Sequence, residues 1–256
     1  MGLIELCTNH TGKMEGIKSL STSVLLNPNC QKNRLISGSI CSHCYANALA
    51  QMYASLGARL ERNTKELTSR SITIADIEYL KTELKDEKIF RFEAFGDLNN
   101  ETQLENYLKI CLVFPHIQFA LYTKMYKLVY EYFKQSEHYC PSNLVLMLSS
   151  LEMNRPITSD RNFYALGKFY DGQVKVFTVY DKEYIRTHPG LNINCGARSC
   201  NTCRICYLKN NIKNVNEILK SDRDAATMIV NFQDLVKRGK IIANIEKIMK
   251  EYKGGE

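Results

Sequence analysis

The feature that most restricts the fold lies between Lys88 and Asp181, where strand-like and helix-like segments alternate. "KIFRFEAFGD" alternates apolar and polar residues and runs into Gly96-Asp97, the pattern of a strand ending in a turn. "NNETQLENYLKICLVF" reads as a helix, with Asn99 or Asn100 as its N-cap and acids in its first turn. "IQFALYTK" is a strand, "MYKLVYEYFKQ" a helix, and "SNLVLMLSS" and "QVKVFTVYD" are two further strands. Alternation with short connections predicts parallel strands joined by right-handed crossovers. With "IKSLSTSVLL" (Ile17–Leu26) as an earlier strand, the expectation is an α/β fold. It is a partial, open β/α barrel of about five to six mainly parallel strands, too few to close an eight-stranded barrel.

The flanks read differently. "NPNCQKNRLISG" is a loop, punctuated by Asn-Pro and Gly. From Cys44 to Leu67 the apolar positions step at helical spacing, and "SITIADIEYLKTEL" predicts a second helix starting near Thr73–Asp76. From Asn192 a cysteine-dense loop precedes one or two helices. The expected division is therefore residues 1–191 as the partial barrel and 192–256 as a cysteine-rich loop with a helical extension packed on the same domain.

The chain of 256 residues has ten cysteines and a formal charge of +7. A chain this long buries a core without disulfide staples. The start, "MGLIELCTNHTGKMEG", lacks the basic and apolar regions of a signal peptide, and no apolar run approaches ~18 residues. The expectation is a cytoplasmic, non-membrane protein whose clustered thiols are metal ligands or catalytic groups. The positive excess in the tail from Lys209 to Lys253 reads as a solvated helical face, with nucleic acid as the weaker alternative.

Two thiol clusters stand out: Cys30, Cys41 and Cys44, then Cys195, Cys200, Cys203 and Cys206. Both end in Cys-x-x-Cys-Tyr. A C-x2-C pair brings two sulfurs to one side of a turn, which suits zinc. The C-x2-C-x2-C run of Cys200, Cys203 and Cys206 instead suits adjacent corners of a cubane, and the same spacing opens the bacterial ferredoxin run. The spacing favours one or two [4Fe–4S] clusters over Zn2+, and either metal over disulfides. A four-thiolate cubane plus a three-thiolate one, or one shared site with bystanders, both remain open. Of the remaining cysteines, Cys111 reads as core, Cys140 as a loop thiol, and Cys7 lies near the terminus. His43 lies between two proposed ligands.

Ligands gather at strand C-termini in such folds. The polar groups expected there are Glu93, Asp97, Thr123, Lys124, Ser149, Ser150 and Tyr180, of which Glu93, Asp97, Lys124 and Tyr180 are the catalytic candidates. An enzyme with a redox or radical reaction is the first expectation, served by an electron donor such as ferredoxin or flavodoxin. A zinc-stabilised module binding nucleic acid or protein is the second, and an electron carrier the third.

Four segments carry a resemblance: "GKMEGIKSLSTSVLLNPNC" followed by "CSHCYANAL", then "FRFEAFGDLNNETQLENYLKICLVFPHIQFALYTK", then "CGARSCNTCRICY". Together they resemble the gene-product-eighty-eight family of phages and mobile elements, from Gly12 to Tyr207. The order of motifs is also similar, in rearranged form, to radical S-adenosylmethionine (SAM) enzymes. That resemblance implies a partial barrel in which Cys30, Cys41 and Cys44 bind a [4Fe–4S] cluster and SAM takes its fourth iron. It further implies that Glu93, Gly96 and Asp97 lie near the cofactor's amino group. The spacing here, C-x10-C-x2-C, departs from that family's C-x3-C-x2-C, and no Gly-Gly-Glu motif is present.

Overall fold

The computed structural model describes residues 3–9, 12–135, 140–157, 173–196 and 198–219. Among these residues seven strands form a single sheet in chain order: β1 (Cys7–Thr8), β2 (Lys18–Leu20), β3 (Ile89–Phe92), β4 (Gln118–Thr123), β5 (Leu144–Ser149), β6 (Val174–Tyr180) and β7 (Asn214–Ile218). Strands β2 to β7 are parallel, and β1 lies antiparallel against β2. Adding each strand beside the last is the order of a β/α barrel, but β1 and β7 stay as edges. The sheet is open.

The helices among the described residues are α1 (Pro28–Arg34), α2 (Tyr45–Met52), α3 (Ala54–Ser69), α4 (Ile74–Glu83), α5 (Glu101–Val113), α6 (Tyr126–Gln135), α7 (Lys182–Thr187) and the single turn α8 (Cys200–Cys203). Local chemistry sets their starts. Thr73 and Asp76 form a reciprocal capping box on α4, and Asn100 caps α5 through the Gln103 N–H. The segment read as one helix from Cys44 to Leu67 breaks at Tyr53, whose backbone is extended. Gly57 lets α3 fold back on α2, since a Cβ there would lie 2.6 Å from the Ala50 carbonyl oxygen.

Side chains alternate across each strand, so the sheet has two distinct faces. One presents Phe90, Phe92, Phe119, Leu121, Leu144 and Leu146 to helices α3 to α6, forming the main core. Phe92 is the centre of that face: its ring stacks on Tyr107 at 4.2 Å and on Phe119 at 5.3 Å. The opposite face carries Ile89, Ala120, Val145, Met147 and Val215, and among the described residues no helix longer than the single turn α8 covers it. Tyr207, Cys195, Cys200 and Cys206 of the late cysteine segment pack there instead. Burial on both faces makes β5 buried at every position.

Several expectations change. The strand expected at Ile17–Leu26 is only Lys18–Leu20, because Ser21, Thr22 and Ser23 bond Ala94, Glu93 and, in α3, Thr64 instead of extending the ladder. The Asn-Pro loop contains α1: Asn27 accepts from the N–H groups of Asn29 and Cys30, with Pro28 at the first helical position. Beyond Asn192, where a loop and then helices were expected, β7 joins the sheet beside β6. The expected C-terminal helices and most of the basic tail lie outside the described residues. Cys140 is in a loop but buried in the main core with Cys111, and Cys7 is buried in β1. Among the described residues no helix is long and apolar enough to cross a membrane.

Phe92→Ala removes a ring enclosed by two others. The expected loss of stability is about 3–5 kcal/mol, read as a lower denaturant midpoint at an unchanged slope.

Candidate functional site

The C-terminal edge of the parallel strands is built around two buried carboxyl groups. Glu93 follows β3 directly, with φ at 57° in the left-handed region. Its carboxylate accepts hydrogen bonds from the Thr22 N–H (3.2 Å), the Thr22 hydroxyl (3.1 Å), Gln103 Nε2 (2.6 Å) and the Tyr107 hydroxyl. Burial is the largest influence and pushes the Glu93 carboxyl up to about 7, against the hydrogen bonds from Tyr107 and Thr22. Gly96 packs against the same group. A Cβ there would lie 2.5 Å from Glu93 Oε2 and 2.5 Å from the Thr22 carbonyl oxygen. Asp97 ties β3 to β4, accepting from the Thr123 hydroxyl, the Lys124 N–H (2.9 Å) and the Leu98 N–H (2.8 Å). Burial raises its pKa, while Lys124 works against that rise.

The first thiol set sits directly above this floor. Asn27 is fully buried and donates to the carbonyls of Asp97 (3.0 Å) and Leu98 (3.2 Å) while capping α1, which fixes Cys30 in the first turn. Ser39 caps the 3-10 turn Ile40–His43 by accepting from the Cys41 N–H, and Cys44 is the N-cap residue of α2. The loop is anchored at a distance, because the Ile40 N–H donates to Leu151 O at 2.9 Å and Ser39 pairs antiparallel with Glu152. The cysteine loop thus crosses the strand ends from β2 to the segment after β5. Cys30, Cys41 and Cys44 are half-buried and stand within electrostatic reach of one another. Burial raises the Cys30 and Cys41 thiols, and Lys124 opposes this. Burial also disfavours the Lys124 charge, but Cys41, Asp97, Cys30 and Cys44 outweigh it and raise its pKa. Arg34 stands beside the same three thiols.

The second set lies on the helix-free face. Cys195, Cys200, Cys203 and Cys206 line one cavity of about 510 Å3 together with Lys13, Arg198 and Arg204. Ser199 caps α8, and Arg204, with φ at 52°, turns the chain back after Cys203. Cys195 pairs with Glu217 of β7, and Lys13 donates to Cys195 Sγ at 3.1 Å while forming an ion pair with Glu217. Lys175, fully buried, donates to the carbonyls of Ile205 and Leu208 (2.7 Å) and to Asn210 Oδ1 (2.8 Å), pinning the segment to β6. Arg91 of β3 lies with its guanidinium 3.8 Å from the Tyr122 ring centre and bonds Met14 Sδ at 3.1 Å. Its Nε is buried without a hydrogen-bond partner. Tyr122 hydrogen-bonds Cys206, whose thiol burial pushes up to about 11.

The remaining candidates have protein partners. The Ser150 hydroxyl meets Thr178 Oγ1 at 3.1 Å, and Ser149 O accepts from the Tyr126 hydroxyl. Tyr180 is buried at the end of β6 beside Tyr184. The His43 Nδ1 and Asn47 Oδ1 atoms are buried without hydrogen-bond partners. All ten cysteines are free. Among the described residues no three His, Cys, Asp or Glu side chains converge on the position of one metal ion. Sequence reasoning missed Asn27, Arg34, Lys13, Arg91 and Tyr122. Only Asn27 carried a signal, as an Asn-Pro helix start.

Such an arrangement defines a class: an open α/β sheet with thiol groups gathered over its strand C-termini and on its helix-free face. The family model described as gene product 88 matches residues 5–204, and the chain belongs to that family. The match spans all the clustered cysteines except Cys206. No curated protein and no solved structure matches the chain.

Glu93 makes folding depend on pH. Its folded pKa of about 7 lies above the ordinary value of 4.5, so the folded state holds the proton more tightly than the unfolded chain. The resulting stabilisation is complete below pH 4.5 and is lost as pH rises through about 7. It amounts to about 3 kcal/mol. Thermal melts of Glu93→Gln across that range are expected to lack this decline. Gly96→Ala, which drives a methyl into Thr22 and Glu93, is expected to lower the melting temperature and to do so at every pH.

Proposed function

We propose that this chain binds a [4Fe–4S] cluster through Cys30, Cys41 and Cys44 and uses it in a redox or radical reaction. One observation carries the reading: three half-buried thiols gathered with Lys124 over the C-terminal edge of a parallel sheet. Ligands collect at that edge in folds of this kind. The donor set is entirely sulfur, which suits soft metals and iron–sulfur clusters. A thiolate-ligated cluster carries negative charge, and Lys124 and Arg34 are the cations set against these three thiols.

When bound, the cluster supplies one-electron chemistry, with one iron left without a protein thiolate. The chain's own residues hold and shape that corner. Asn27 sets Cys30 by capping α1, Ser39 sets Cys41, and the bond from Ile40 to Leu151 keeps the loop across the strand ends. Lys124, in the field of all three thiols, would supply positive charge to a cluster or an anionic ligand held there. Glu93 and Asp97 act beneath it as the support that aims Lys124 and Asn27, since their oxygens are committed to protein donors. S-adenosylmethionine is the ligand that the motif order proposes for the open iron. A small electron carrier of the ferredoxin or flavodoxin type is the proposed donor.

Chain purified without oxygen and supplied with ferrous iron and sulfide is expected to be brown, with iron and acid-labile sulfide in equal amounts. Cys41→Ala/Cys44→Ala is expected to lose iron, whereas Cys111→Ala, in the core, keeps it. Addition of S-adenosylmethionine is expected to shift the EPR signal of the dithionite-reduced protein. A colourless chain with stoichiometric zinc overturns the reading, as does full iron retention in the double variant.

A further inference from the structure

The second thiol set demands its own account. Its four members belong to a different neighbourhood from the first. Cys30 and Cys44 pack with Val24, Ala46 and Phe95 beside α2, whereas Cys195, Cys200 and Cys206 pack on Ile89, Ala120 and Val145 of the helix-free face. All four line one cavity of about 510 Å3. Four thiols around one space form an all-sulfur donor set, which suits an iron–sulfur guest.

Charge gives an independent argument. Lys13 contacts Cys195 Sγ directly, and Arg198 and Arg204 line the same cavity. Arg91 stands in the field of Cys206 and Tyr207, and its buried Nε lacks a partner. Glu217 is the carboxylate in contact with this group, through Lys13. Lys13, Arg91, Arg198 and Arg204 stand round these four thiols, with Glu217 paired to Lys13, and together they favour an anionic guest. Four thiolates on an iron–sulfur core supply that negative charge, with the thiol protons released to solvent as the iron–sulfur bonds form.

We propose that Cys195, Cys200, Cys203 and Cys206 hold a second iron–sulfur cluster, fully ligated by protein and separate from the three-thiol site. Full ligation leaves no iron open to substrate, so its part is to store or pass electrons. The inference rests on the reading above only for the kind of metal group, and the two are separable by experiment.

The test uses the full chain reconstituted without oxygen with ferrous iron and sulfide. Cys200→Ala/Cys203→Ala is expected to keep about half of the wild-type iron and sulfide, and Cys41→Ala/Cys44→Ala the other half. The four-fold variant is expected to keep none. Complete loss of iron in both double variants means a single shared site and overturns the proposal. Unchanged iron in Cys200→Ala/Cys203→Ala, or zinc without sulfide in the Cys41→Ala/Cys44→Ala variant, overturns it equally. If Cys41→Ala/Cys44→Ala keeps all its iron while Cys200→Ala/Cys203→Ala loses it, the three-thiol reading fails and the four-thiol site stands. Circular dichroism checks that each variant folds. Should a cysteine variant not fold, Lys13→Gln decides the matter. It is expected to keep its iron and shift one of two reduction waves to more negative potential, and a single wave or two unmoved waves refutes the second site.

Discussion

The buried carboxyl of Glu93 is the joint on which the upper half of the molecule depends. A non-glycine residue in the left-handed region carries a strain of about 1–3 kcal/mol and persists only where its surroundings hold it. Here Thr22 from the end of β2 and Gln103 and Tyr107 from α5 all bond one carboxylate. Gly96 then lets the chain pass close over that group. The path out of Glu93 determines where Asp97 lies, and Asp97 in turn joins β4 through Thr123 and receives Asn27 on its carbonyl. Asn27 starts the helix that carries Cys30. A short relay of polar bonds therefore runs from the sheet to the first thiol.

The two thiol sets follow one electrostatic logic on different scaffolds. In each, sulfur groups are partly withdrawn from water and face cations: Lys124 and Arg34 above the strand ends, Lys13 and Arg204 on the helix-free face. In each a carboxylate also stands beside the cations, Asp97 with Lys124 and Glu217 with Lys13. The helix-free face gives this arrangement its room. A closed barrel would fill that face with apolar layers, and an open one leaves it to a loop that Lys175 clamps in place.

Strong periodicity made the middle of the chain legible. The phenylalanines of "KIFRF", the run "NLVLML" and the caps Thr73 and Asn100 all correspond to elements of the fold, as does the open parallel sheet they build. The edge strands were hidden for a physical reason. Of "NVNEI" in β7 only Val215 is buried, so neither alternation nor an apolar run marks it. β1 is two residues long. In the site, residue types with spacing were visible, the clustered thiols and the Gly-Asp turn among them. The groups that complete it were not: Arg91, Lys13 and Arg34 come from elements far apart in sequence and have no pattern of their own. Glu93 and Asp97 were legible as polar groups at strand ends, but their bonding to Thr22, Tyr107 and Thr123 exists only once the strands are side by side.

The pairing of Ser39 with Glu152 has a consequence for how the chain is made. The first thiols leave the ribosome early, yet the segment that anchors their loop is translated only after β5. At about 5–20 residues per second, that delay is roughly 5 to 20 s. Throughout it the nascent chain exposes three tethered thiols without the backbone strand that holds them over the sheet. The site encoded first is thus completed only after the segment beyond β5 has been made, and its arrangement over the sheet belongs to the nearly finished polypeptide.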